Sequence, residues 1–225
     1  ILGNIAAANI AIDYNIQGPS FTVSTACSSG GDAINTACMC MQSGKADIML
    51  AVGAESVLCP LVIYSLANAK ALSRRNDSPS TASRPFDVTR DGFVIGEGGG
   101  ALVLETEESA NGRNARKYAE IKGYAQVHRP VSYDNSEVDS KAVVEVIEKA
   151  CVNAGIEADN IDFVCCDDRK IIKTLMPCYD VSQEIGNARA AASAMTAAYA
   201  AELLSDSEKN YEYGLALSMG AGGTY

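Results

Sequence analysis

One cysteine of this sequence lies where its thiol has a chemical use. Cys27 follows a short extended run at residues 21–25 and opens a helix of small residues that we expect to end at Ser43, before Gly44. At a helix N-terminus, unpaired backbone N–H groups and the positive end of the helix dipole favour the thiolate, which is the nucleophilic form of cysteine. The pattern therefore predicts a nucleophile. A buried structural cysteine in a tight turn is the alternative interpretation.

Charge and hydrophobicity argue against two kinds of partner. The 225 residues include 18 Lys and Arg against 28 Asp and Glu, a net charge of −10. A surface of this charge repels nucleic acid, so we expect no nucleic-acid binding. Apolar stretches such as 48–52 are far shorter than the roughly 20 residues that a membrane span needs, and no basic-then-apolar leader opens the sequence. We therefore expect neither a membrane anchor nor export.

The eight cysteines are not spaced as metal ligands or as a disulfide framework. Cys38 and Cys40 are two apart, Cys165 and Cys166 are adjacent, and no C-x-x-C pair occurs. We therefore expect reduced cysteines in the core, no metal, no cofactor and a cytoplasmic protein. The single histidine, His128, has no ligand-like neighbour, and we expect it to be solvated or to cap a loop.

Strand and helix patterns alternate along the chain, which predicts an α/β fold with an at least partly parallel sheet. The predicted elements are strands at 47–52, 101–105, 119–127, 161–166 and 213–218, helices at 138–154 and 190–204, and a long loop at 73–90. The order strand, helix, strand, helix, strand that begins at residue 119 occurs more loosely before it. This weak symmetry predicts a duplicated, layered architecture with halves at 1–118 and 119–225.

Three segments carry a wider resemblance. In chain order they are Gly18-Pro19-Ser20 with Val23-Ser24-Thr25-Ala26-Cys27-Ser28-Ser29-Gly30, then Arg84-Pro85-Phe86-Asp87 with Arg90-Asp91-Gly92-Phe93-Val94-Ile95-Gly96-Glu97-Gly98, and finally Gly220-Ala221-Gly222-Gly223-Thr224. They resemble the nucleophile segment, the second motif and the closing Gly-rich loop of β-ketoacyl synthases. They occur in the order that the family has them and span nearly the whole chain, so the resemblance is highly specific.

The resemblance implies a dimeric protein with a thiolase-like fold of α-β-α-β-α layers. In that family the cysteine, here Cys27, takes an acyl group from acyl carrier protein and condenses it with a decarboxylating malonyl thioester. The resemblance also implies that the N–H groups of Cys27 and Ala221 form the oxyanion hole, and that Gly220, Gly222 and Gly223 bind the substrate. Ala221 stands at a gatekeeper position where the family has a phenylalanine.

The sequence departs from the family at the residues that assist the cysteine. The family uses two histidines that donate to the thioester oxygen during decarboxylation, with a lysine supporting one of them. By position, Asp167 and Asn187 replace the histidines, and the lysine position falls near Ser182. The interval between Asp167 and Asn187 is also shorter than usual. Only residues 1–17 precede the nucleophile segment, so we expect a fold that lacks the N-terminal part of its first half.

These departures lead to three functional hypotheses. Loss of one preorganised donor to a developing oxyanion costs on the order of 10²–10³ in rate, so a chain without both histidines is expected not to condense alone. The preferred hypothesis is a subunit of fatty-acid or polyketide elongation that acts like a chain-length factor, in a hetero-oligomer with an active ketosynthase and with acyl carrier protein. The alternatives are a cysteine-dependent acyltransferase or acyl-holding enzyme that uses Cys27, and a purely structural remnant.

Overall fold

The computed structural model describes residues 2–85, 87–130, 139–166 and 176–225. Asp167, a predicted site residue, lies outside these ranges. The helices in the described part are α1 (Ile5–Asp13), α2 (Ser29–Gln42), α3 (Pro60–Asn68), α4 (Glu107–Gly112), α5 (Ser140–Ala154), α6 (Ser182–Ile185) and α7 (Ala190–Ser205). The strands are β1 (Ile48–Glu55), β2 (Gly98–Glu105), β3 (Phe163–Cys166), β4 (Cys178–Tyr179) and β5 (Gly214–Leu217). Helices α2, α5 and α7 and strands β1, β2, β3 and β5 confirm predicted elements.

The first sheet is a two-stranded antiparallel pair. Strands β1 and β2 pair in a register that runs from Ile48 opposite Glu105 to Glu55 opposite Gly98. The extended run at 21–25 joins no sheet within the described residues. The backbone N–H of Thr25 bonds instead to the Ser29 hydroxyl at 2.9 Å, so the end of this run is held by the turn that follows it.

The second sheet is parallel, with the strand order β4-β3-β5, and it confirms the prediction of a partly parallel arrangement. All four residues of β3 are buried. Helix α5 covers one face of this sheet, where Val143 and Val146 pack in one core cluster with Val164. Asp139 caps the helix by accepting the Lys141 N–H at 2.9 Å. The helix ends at the predicted boundary, where Gly155 has a left-handed conformation.

The predicted strand at 119–127 is wrong, since the structure assigns no strand to these residues. Only Val127 at its end is paired, by exchanging two backbone hydrogen bonds of 3.0 and 2.9 Å with Tyr225. Farther back, the Tyr124 N–H bonds to the side chain of Asn153 at 3.0 Å, near the end of α5. The segment therefore finds its backbone partners in a helix side chain and a chain terminus rather than in a neighbouring strand.

Helix α7 is the middle layer of the fold, because it contacts both sheets and also α2. Its small residues allow this, and Ala191 and Ala194 are fully buried. Glycines on the first sheet complete the close packing. A Cβ atom on Gly100 would lie 2.7 Å from the backbone of Met195, and one on Gly53 would lie 2.8 Å from Ala194 Cβ. The second sheet and α5 follow on the opposite side of α7, which gives the layered α/β architecture.

Two apolar helices are not packed into this core. Helices α1 and α3 contain no buried residue, although most of their side chains are hydrophobic. Ile12 in α1 and Leu61 in α3 are both 76% exposed, and Val103 on the outer face of the first sheet is 64% exposed. None of the helices that the structure describes is long and apolar enough to cross a membrane.

Candidate active site

Cys27 lies in a tight turn directly before α2. A 3₁₀ turn spans Ala26–Ser28 and passes into the helix at Ser29, so the predicted position of Cys27 at a helix N-terminus is confirmed. Ala26 has a φ of +57°, a left-handed conformation that is strained for a residue with a Cβ. Such strain persists only where the surrounding structure holds the chain firmly, so we expect hydrogen bonds to hold this turn.

A network of hydroxyl groups ends on one buried carboxylate and holds the turn. Thr25 Oγ1 donates to Asp32 Oδ2 at 2.5 Å, and Ser28 Oγ donates to the Thr25 carbonyl at 2.8 Å. Ser29 Oγ donates to the Ala26 carbonyl at 2.6 Å. Asp32 belongs to the first turns of α2 and is only 7% exposed. The small residues around Cys27 thus serve as hydrogen-bonding groups as well as occupying little space.

Ser193 of α7 holds the same turn from the other side. Its hydroxyl donates to the Cys27 carbonyl at 3.2 Å and accepts the Gly31 N–H at 3.0 Å. The Gly31 N–H belongs to the first turn of α2, where no side chain of the helix's own N-cap residue bonds to the backbone. Ser193 is buried and was not singled out by the sequence motifs. The signal that could have found it is a serine within a run of alanines.

The Gly-rich loop at 220–224 lies against the Cys27 turn, as the resemblance predicts. A Cβ atom on Gly220 would lie 2.3 Å from the Thr25 carbonyl oxygen and 2.7 Å from Ser28 Oγ, so only glycine fits. The loop is closed by bonds from the Gly220 N–H to the Thr224 carbonyl at 2.7 Å and from the Gly223 N–H to the Gly220 carbonyl at 3.1 Å. The structure therefore brings the predicted nucleophile segment and the predicted loop together.

Ala221 is exposed in this loop, between Gly220 and Gly222. It remains a prediction that the Ala221 backbone N–H is an oxyanion-hole donor. It also remains a prediction that Gly220, Gly222 and Gly223 contact a substrate. Thiolate stabilisation in the Cys27 turn depends on the N–H groups of the first α2 turn, of which Ser193 occupies one.

His128 supports the Gly-rich loop from outside. Its Nδ1 lies 3.2 Å from Thr224 Oγ1, and the next residue, Arg129, donates its N–H to the Gly223 carbonyl at 2.8 Å. The imidazole itself is exposed. Of the two roles that we expect for this histidine, loop capping fits these contacts.

Asn187, at a predicted histidine position, is fixed in the turn before α7. Its backbone pairs with the second motif, through bonds from the Asn187 N–H to the Val94 carbonyl at 2.8 Å and from the Gly96 N–H to the Asn187 carbonyl at 2.9 Å. Its side-chain oxygen accepts the N–H of Arg189 at 2.9 Å. Ser182, near the predicted lysine position, is buried and accepts the Ser83 hydroxyl on its carbonyl at 3.1 Å.

The second motif is held by a carboxylate. Asp91 accepts the Arg74 N–H and the Arg84 guanidinium, each at 2.8 Å, and the Ser73 hydroxyl at 2.7 Å. The Arg74 N–H, then the Ser73 hydroxyl and the Arg84 charge, lower the pKa of Asp91 to about 2. No group of three metal-ligating side chains occurs within the ranges that the structure describes.

The chain is similar to known proteins in sequence and in fold. Residues 1–110 match the family model described as Beta-ketoacyl synthase, N-terminal domain. The 3-oxoacyl-(acyl-carrier-protein) synthase 2 of Rhizobium meliloti (strain 1021) is 40% identical over 162 residues, which are 72% of this chain and 38% of that protein.

Solved ketosynthase structures are similar to this chain as well. A type II polyketide ketosynthase, solved in complex with its acyl-carrier protein, matches with a TM-score of 0.87 at 27% identity, over 98% of this chain and 65% of that one. The ishigamide ketosynthase/chain length factor matches with a TM-score of 0.78 at 27% identity, over 90% of this chain and 52% of that one.

A layered α/β fold that holds a cysteine turn between a helix N-terminus and a Gly-rich loop is a thiolase-like fold. The chain belongs to the β-ketoacyl synthase family of fatty-acid and polyketide synthesis. It spans well under half the length of the curated relative and about two thirds of the solved ketosynthase chain.

Proposed function

We propose that this chain is a ketosynthase-family subunit that does not condense acyl groups alone and that supports an active ketosynthase in the manner of a chain-length factor. The observation that carries the proposal is the hydrogen bonding of Asn187, the residue that the sequence resemblance puts at a family histidine position. Its side-chain oxygen is already bound to the Arg189 N–H, and a carboxamide does not transfer protons at neutral pH as an imidazole does. The residue is suited to shaping the turn before α7.

The other histidine position strengthens the proposal on sequence grounds. A carboxylate from Asp167 would place negative charge where an enolate develops, which opposes decarboxylation. Removal of a single preorganised donor already costs about 3–4 kcal/mol of transition-state stabilisation. A carboxamide in place of one imidazole and a repulsive carboxylate in place of the other would weaken the electrostatic support for condensation.

The proposed partners are an active ketosynthase and acyl carrier protein. Support comes from the related structures, one a ketosynthase with its acyl-carrier protein and the other a ketosynthase/chain length factor. The exposed apolar side chains of α1 and α3 supply a surface that a second subunit would cover. The presence of Cys27 departs from known chain-length factors, which usually lack the cysteine.

The test is a condensation assay with acyl and malonyl groups loaded on carrier proteins. The chain alone should give no β-ketoacyl product above a Cys27→Ala control, whereas addition of a candidate ketosynthase from the same genome should give product whose amount or length depends on this chain. Cys59→Ala, which removes an exposed thiol of α3's N-cap, is the matched cysteine control. A Cys27-dependent product from the chain alone would contradict the proposal.

The second candidate function is acyl transfer through Cys27. The observation that favours it is the preserved turn, with its strained Ala26, its helix N-terminus and its adjoining Gly-rich loop. Acyl transfer needs a thiolate and an oxyanion hole but no proton-donating histidine for decarboxylation. Incubation with acyl carrier protein would then leave a thioester on Cys27 that mass spectrometry detects and that the Cys27→Ala variant lacks.

A further inference from the structure

Two cysteines outside the Cys27 turn lie in sulfur–sulfur contact. Cys166 at the end of β3 and Cys178 in β4 have their Sγ atoms 3.3 Å apart. We propose that this pair is a redox-modification site, in which hydrogen peroxide or a similar small peroxide converts the two thiols into a reversible disulfide. The proposal does not depend on the function proposed for Cys27.

The strand register explains why these side chains meet. Val164 of β3 pairs with Cys178 of the parallel strand β4, and paired residues on adjacent strands point to the same face of a sheet. Cys166, two residues beyond Val164, shares that face. The two sulfurs need to approach by ~1.3 Å to reach a disulfide bond length. Strand β4 contains two residues and lies at the edge of the sheet.

The two thiols differ in their exposure to solvent, and this difference sets which of them is oxidised first. Cys178 is partly exposed, whereas Cys166 is fully buried in the core cluster beneath α5. Peroxide oxidises the Cys178 thiol to a sulfenic acid, and one water is released. The sulfur of Cys166 then attacks the Cys178 sulfur, the S–O bond breaks, and a second water leaves as the disulfide forms. Each disulfide consumes one hydrogen peroxide and two thiol hydrogens.

The neighbouring Cys165 does not compete for the same partner. It points to the opposite face of β3, where it packs with Phe163 in a separate cluster. Cys165 is therefore a matched control within the same strand.

Peptide mapping of the wild-type protein tests the proposal without relying on any variant. The protein is treated with hydrogen peroxide, quenched in acid, alkylated in urea and digested. The expected product is a peptide pair joined through Cys166 and Cys178, lighter by two hydrogen atoms and released by dithiothreitol. The Cys165→Ser variant should give the same product, and Cys178→Ser should leave Cys166 alkylated.

Three results would overturn the proposal. One is full alkylation of both Cys166 and Cys178 under conditions that oxidise the exposed Cys59. Another is over-oxidation of Cys178 to the sulfinic acid with Cys166 still a thiol. The third is a joined peptide that disappears in Cys165→Ser, since that would assign the bond to Cys165. Oxidation of Cys27 adds oxygen to a different peptide, so it does not interfere with the assignment of the Cys166–Cys178 disulfide.

Discussion

The hydroxyl of Ser193 joins α7 to the carbonyl of Cys27 and to the first turn of α2. A Ser193→Ala change leaves the partly buried Gly31 N–H and the Cys27 carbonyl without this partner. We expect it to lower the free energy of unfolding by about 1–3 kcal/mol, measured by urea denaturation. Ser205→Ala, which removes a hydroxyl bonded only to the Glu202 carbonyl at the far end of α7, should change it by less than about 0.5 kcal/mol. Equal effects of the two variants would show that Ser193 does not hold the turn.

The reactivity of the Cys27 thiol gives a second prediction about a single residue. If the chain is a supporting subunit, iodoacetamide should alkylate Cys27 no faster than the exposed Cys59, since a carboxylate from Asp167 would oppose the thiolate that the helix dipole favours. Cys38, whose pKa is raised by burial, should react more slowly than both. Rates are measured by mass spectrometry of the digested protein. Rapid, selective alkylation of Cys27 would favour the acyl-transfer function instead.

Local sequence patterns predict only part of the candidate site. The turn at Cys27 is predictable because its small residues and the helix that follows are neighbours in the chain. Ser193 is not, since its bonds to Cys27 and Gly31 cross more than 160 residues of sequence. The carboxamide contact of Asn187 also requires the structure, because the motif gives the residue's place but not its hydrogen-bond partner.

Elements with their own start and stop signals were the most predictable. Gly44 and Gly155 mark the ends of α2 and α5 correctly, and both have a positive φ. The strand expected at 119–127 failed because an extended segment becomes a strand only when a neighbour pairs with its backbone. Helices α1 and α3 carried no usable signal, since their apolar residues lie all around the helix and no 3.6-residue period marks one face.

The loop around the second motif should lose stability in acid. The pKa of Asp91 is lowered to about 2 by the Arg74 N–H, the Ser73 hydroxyl and the Arg84 charge, against an unfolded value of roughly 3.9. A depressed folded-state pKa stabilises the protein above the unfolded pKa, and this contribution is lost as the pH falls toward 2. Asp91→Asn should therefore be less stable than wild type at pH 7, and the difference should shrink between pH 4 and pH 2.

Urea denaturation at several pH values measures this difference. Asp77→Asn, which changes an exposed carboxylate in the same loop, is the matched control and should show little dependence on pH relative to wild type. A difference between Asp91→Asn and wild type that stays constant down to pH 2 would mean that the Asp91 charge does not hold the loop.

Among the described residues, two helices and one face of a sheet expose apolar side chains. Helices α1 and α3 bury no residue, and the outer face of the first sheet leaves Val103 largely exposed. An acidic protein with net charge −10 resists nonspecific association, so exposed apolar side chains on separate elements point to a specific partner. We therefore expect the chain to be found in a hetero-oligomer rather than as a monomer.

Charge substitutions on these helices test the expected assembly. Ile12→Asp and Leu61→Asp each place a carboxylate on a side chain that a partner would bury, so each should weaken association with a ketosynthase at least about tenfold, or roughly 1.4 kcal/mol. Val152→Asp is the matched control, because Val152 is 81% exposed on α5, the helix that covers the second sheet. Sedimentation velocity measures the assembly. If the chain sediments as a stable, well-folded monomer at micromolar concentration and Leu61→Asp changes nothing, the apolar side chains of α1 and α3 are not a subunit interface.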